Sequence, residues 1–65
     1  MRTVAKKEFI DNDTGVSALC LQQIDDKVKK YNCFYAVFDN ARVSGGFKTL
    51  EDLERFLKNS GFEEV

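Results

Sequence analysis

Two cysteines and three groups of carboxylates are the residues of this chain with chemical potential: Cys20 and Cys33, Asp11 with Asp13, Asp25 with Asp26, and Glu51 with Asp52 and Glu54. A cysteine attacks as its thiolate and needs a base or cation beside it. The chain has no histidine, the commonest general base. Lys6 is a candidate neighbour of Cys20 across a hairpin, although a surface lysine is the plainer reading of that position. Cys20 and Cys33 lie in apolar runs without CxxC spacing. The first residues also lack the charged-then-apolar pattern of a secretory leader. Both thiols are therefore expected to be reduced, buried and cytoplasmic.

Metal and phosphate chemistry are equally thin. Two cysteines without histidine cannot complete a four-ligand structural zinc site. "DNDTG" at 11–15 puts side-chain oxygens at alternate positions, as a calcium loop does, but lacks the later glutamate, so turn formation explains it. "SGGFKT" at 44–49 lacks the GxxxxGK[ST] spacing of a phosphate loop, and its glycines read as a bulge or bend leading into a helix. No catalytic residue, cofactor or metal is expected, and the chain reads as a non-enzymatic binder.

With 65 residues, the chain (1–65) is expected to form a single domain. A chain of this size buries only about 60% of the surface it exposes when unfolded. Such cores seldom supply more than about 3 to 5 kcal/mol without a disulfide, a metal or a partner. No run approaches the ~18 apolar residues of a membrane span. The net charge of −1 is unlike that of a basic nucleic-acid binder, although residues 1–48 carry +2 and residues 49–65 carry −3.

The pattern predicts α+β architecture: a four-stranded antiparallel sheet with one C-terminal helix packed on one face. In "TLEDLERFLKNSGF", Thr49 is the N-cap and Asp52 stands where a capping-box acid would. Leu50, Leu53, Phe56 and Leu57 share a face, Glu51 with Arg55 and Glu54 with Lys58 are four apart, and Gly61 stops the helix. "CFYAVFDNARVSGGF" reads as a hairpin turning at Asn40 and Ala41, with Phe38 opposite Val43, Phe34 opposite Phe47, and Asp39 paired with Arg42. Alanine is weaker than glycine in a two-residue turn, which leaves room for a longer loop. Residues 16–31 have helical spacing as well, giving βαββα as the alternative, but "DNDTG" between Ile10 and Val16 favours a hairpin.

Pairing Ile10 with Val16 and Ile24 with Cys33 puts Phe9, Leu19, Leu21, Phe34, Ala36, Phe38, Val43 and Phe47 under the helix, with Cys20 opposite Val37. It leaves Val4, Ile10, Val16, Cys20, Ile24, Cys33, Tyr35 and Val37 on the other face, which one helix cannot cover. Apolar patches of that kind mark interaction sites, and the expectation is a homodimer or a protein partner there. The competing reading is that the N-terminal arm, the 25–32 loop or the "EEV" tail covers it, or that the register is off by one residue.

For single-stranded nucleic acid, Phe34, Tyr35, Phe38 and Phe47 would stack on bases, and Arg2, Lys6, Lys7, Lys27, Lys29, Lys30, Arg42 and Lys48 would meet phosphates. Four strands followed by a helix resembles, in element order, the single-stranded-DNA-binding transcriptional coactivators, which dimerise. "DNDTGVSA", "YNCFYAVFDN" and "GGFKTLEDLERFL" together resemble a pattern of small uncharacterised proteins of phages, plasmids and Gram-positive bacteria. That resemblance implies an accessory or host-modulating binder and assigns no site residues.

Overall fold

The computed structural model describes residues 2–25, 32–39 and 41–65. Strands β1 (Arg2–Ile10), β2 (Ser17–Ile24) and β3 (Asn32–Phe38) precede helix α1 (Leu50–Asn59) and a short strand β4 (Glu63–Glu64). All four strands form one antiparallel sheet in the order β3-β2-β1-β4, with the helix on one face. The expected α+β class holds, and 17–24 is strand, which removes the βαββα alternative.

The fourth strand is not the expected one. Residues 43–47 make only isolated bridges to β3, Val37 to Val43 and Phe34 to Phe47, so Phe38 does not face Val43. The regular fourth strand is the tail, which pairs Glu63 with Ile10 and Glu64 with Phe9 on the opposite edge. The "EEV" tail thus extends the sheet and does not cover its open face.

Both β-turns use a left-handed residue, and this moves the register. In the first hairpin Gly15 has φ 77°, the Asp11 amide donates to Val16 carbonyl at 2.9 Å, and Ile10 pairs with Ser17 instead of Val16. Asp11 and Thr14 side chains accept the amides of Asp13 and Val16, so these oxygens serve the turn. After β3 the loop is the longer kind: the Ala41 amide donates to Phe38 carbonyl, the Phe38 amide to Arg42 carbonyl, and Ala41 takes φ 65°. Asn40 lies outside the described residues. Asp39 accepts from the Ser17 amide at 3.0 Å and from the Ser17 hydroxyl, tying the turn to the start of β2.

A third irregularity sits inside β1. Ala5 is opposite Leu21 and Lys7 opposite Cys20, which leaves Lys6 as the extra residue of a bulge. In the second hairpin Ile24 faces Asn32, not Cys33, and Cys20 faces Ala36, not Val37. A one-residue slip exchanges the two faces of a strand. Ala18 and Cys20, not Leu19 and Leu21, therefore join Phe9, Ala36, Leu53 and Leu57 in the buried core. Phe34, Phe38, Phe47, Leu50 and Phe62 pack around it.

The helix ends are built as their residues require. Thr49 accepts the Asp52 amide at 3.1 Å, and Asp52 itself pairs with Arg55 at 3.5 Å, the position in which Glu51 was expected. At the other end the Phe62 amide donates to Leu57 carbonyl and the Gly61 amide to Lys58 carbonyl, with Gly61 at φ 93°. These two bonds define a Schellman stop. They direct Phe62 onto Phe38, with ring centroids 5.6 Å apart, and start the chain along β1.

Candidate interaction face of the sheet

Alternation from the buried residues assigns the two faces. Paired residues Ala5, Leu21 and Tyr35 form one cross-strand row on the face away from the helix, and Glu8, Leu19 and Val37 form the next. Leu19 at the centre of that second row is 41% exposed, and Val43, bridged to Val37, is 60% exposed. Leu21, Tyr35 and Val37 are half-buried. Among the described residues, no element packs across this face.

Four of the expected face residues occupy it: Ile10, Cys33, Tyr35 and Val37. Cys20 is fully buried on the helix side. Ile24 follows Cys20 in alternation and falls on that side as well. The bulge turns Val4 to the helix side, opposite Gln22. Val16 belongs to the first turn and lines a cleft of about 380 Å³ with Phe38, Phe56 and Phe62. Exposed Leu19 and half-buried Leu21, read from sequence as core, supply the apolar centre of this face instead. The glycine that ends the first turn was the sequence signal for this shift, because it adds a residue between the paired positions.

Cys33 sits at the margin of the face, against Gly46, where an added Cβ would lie 2.6 Å from its sulfur. A side chain at 46 would require that sulfur to move.

On the helix side, Lys7 and not Lys6 is opposite Cys20. Its ammonium reaches Glu54 at 2.5 Å and Glu64 at 3.4 Å, so Glu54 pairs with β1 where Lys58 was expected. Hydrogen bonding to Glu54 raises the Lys7 pKa. Burial, reinforced by the Glu54 carboxylate, pushes the Cys20 thiol up to about 11. At neutral pH that thiol is protonated and shielded, which suits core packing and not nucleophilic attack. Among the described residues, no group of three or more Cys, Asp or Glu could hold a metal ion. No helix among them is long and apolar enough to cross a membrane.

The residues considered for nucleic acid are dispersed. Phe34, Phe38 and Phe47 pack against the core, leaving Tyr35 on the open face. Lys6 and Lys48 flank the start of α1, Arg42 lines the cleft beside Phe38, and Lys7 is engaged with two glutamates. Lys27, Lys29 and Lys30 lie outside the described residues. The strand residues of the open face include no lysine or arginine: Arg2, Lys6 and Lys7 all belong to the helix side by pairing or bulge. Comparison with protein-family models, with curated proteins and with solved structures gives no match in any of the three.

Proposed function

We propose that this chain is a non-enzymatic interaction module that self-associates through the open face of its sheet. The observation that carries this reading is the apolar stripe of Leu19, Leu21, Tyr35 and Val37, across which no element among the described residues packs; residues 26–31 of the loop that could cover it lie outside them. A stripe of this kind in so small a domain calls for a partner. The core supports the same view, since the large fully buried side chains among the described residues are Phe9, Leu53, Leu57 and Cys20. Burying the stripe against a second copy would add a second apolar layer of the kind found between stacked sheets. Glu8 is the single formal charge in the two central rows, so two copies meet with little like-charge repulsion.

Two free cysteines suit a reducing, cytoplasmic setting. The resemblance to small phage, plasmid and Gram-positive proteins suits an accessory binder, for which a second protein on the same face is the competing occupant. Leu19→Glu and Tyr35→Asp test the reading directly. Each places a charge at the centre of the stripe without touching the buried core. NMR rotational correlation times should fall from a dimer value to a monomer value in both, with helix and strand content retained. An unchanged correlation time in both variants overturns the proposed interface.

A further inference from the structure

The two edges of the sheet are finished differently. Along β3, Phe34 and Phe47 exchange backbone bonds of 2.9 and 2.8 Å. On the same edge the Ser44 amide donates to Ala36 carbonyl, the Ser44 hydroxyl accepts from the Ala36 amide, and the Phe38 amide donates to Arg42 carbonyl. That edge is closed. Along β1, β4 pairs with only Phe9 and Ile10, and the Val65 amide adds one bond to Glu8 carbonyl. Among the described residues, no strand lies beside the outer edge of residues 3–7, and Thr3, Ala5 and Lys6 are exposed.

We propose that this outer edge of β1 at residues 3–6 takes an extended acidic segment of another protein, added to the sheet in line with β4. The chain's own tail supplies the pattern. β4 is an acidic strand, and it lies on this edge with Glu64 at 3.4 Å from Lys7 and Glu63 accepting from Asn12 at 2.9 Å. Lys7 is already engaged by Glu54 and by Glu64 of β4, and Lys6 lies exposed next to it, so the position beyond β4 extends the same complementarity to Lys6. Lys6 lies on the helix side through the bulge, where an acid two residues beyond the Glu64 position would approach it.

A second copy is the wrong occupant for this edge. Antiparallel pairing of two β1 strands about Val4 sets Lys6 of one against Arg2 of the other, and directly opposed like charges destabilise. The bulge and the lysines are features that discourage self-pairing of edges. They leave short strand addition possible, in which main-chain bonds supply affinity and alternate side chains supply selectivity. The fitting segment has acids at alternate positions facing Lys6 and β-branched residues between them facing Thr3 and Ala5. The edge is distinct from the open face and stands whether or not the chain dimerises.

The test is an NMR amide titration of the whole chain with a blocked Glu-Val-Glu-Val-Glu peptide. Saturable shifts are expected at residues 3–6, weakening with salt and absent with Lys-Val-Lys-Val-Lys. Lys6→Glu should weaken the acidic peptide by roughly fivefold, and Lys6→Gln by less. Equal binding of both peptides, absence of shifts at 3–6, or shifts confined to Leu19 and Tyr35 overturns the proposal. So do shifts at Phe9, Ile10, Glu63 and Glu64 that report displacement of β4.

Discussion

Gly46 stands so close to Cys33 that a Cβ on the glycine would lie 2.6 Å from the sulfur. One of the two must yield if the glycine gains a side chain. Gly46→Ala obliges the Cys33 sulfur to turn aside and is expected to cost about 0.5 to 1.5 kcal/mol, the range for a side chain pushed off its rotamer. Cys33→Ala removes the obstructing atom, so the double variant should be more stable than Gly46→Ala alone. Urea denaturation of all four members of the cycle measures the coupling.

Cys20 gives the protein a defined alkaline limb. Its folded pKa is raised from 9.0 to about 11 by burial, with Glu54 contributing. The unfolded chain therefore loses this proton first, and the stabilisation present below pH 9 declines as pH rises to about 11. At about 1.4 kcal/mol per unit the loss is on the order of 2 to 3 kcal/mol. The Lys7 pKa is also raised, from 10.5, by its hydrogen bond to Glu54, so the stabilisation from that pairing is likewise lost as pH rises above that value. Chemical denaturation between pH 8 and 11 should show this slope, and Cys20→Ala should flatten it.

Asp39 contributes to the acid limb in the opposite sense. Bonds from the Ser17 hydroxyl and amide hold its carboxyl below the ordinary 3.8. Its contribution is present above that value and is lost as pH falls through the lower folded pKa. Asp39→Asn should lower stability at neutral pH and reduce the decline below pH 4. Thermal denaturation across the acid range checks both effects.

Two left-handed positions respond in opposite directions. Ala41 holds φ 65°, which costs an L-residue roughly 1 kcal/mol, so Ala41→Gly should stabilise by about that amount. Gly61 holds φ 93° at the helix stop, and Gly61→Ala should destabilise by a comparable amount. Melting temperatures of the two variants should move apart from that of the parent.

The helix was legible because its signals are local. Thr49, the spacing of Leu50, Leu53 and Leu57, and Gly61 all act within a few residues of one another. The strands were legible as strands, but their register depended on single-residue events. Gly15 extends one turn, Ala41 extends another, and Lys6 bulges out of β1, each displacing side chains by one position. Cys20 and Leu19 changed places between core and surface for that reason. The Lys7–Glu54 pair spans strand and helix, so no spacing rule could point to it, whereas Glu54 with Lys58 satisfied such a rule and lost to the tertiary contact. Tyr35 and Val37 remained on the open face because β3 alternates without interruption.

Sedimentation equilibrium from micromolar to millimolar protein, run beside Leu19→Glu, tests self-association through the open face most directly. The parent mass should rise from 7.4 kDa toward twice that value with concentration, while Leu19→Glu stays at 7.4 kDa. A parent that remains at 7.4 kDa throughout, or a variant that associates equally well, contradicts it.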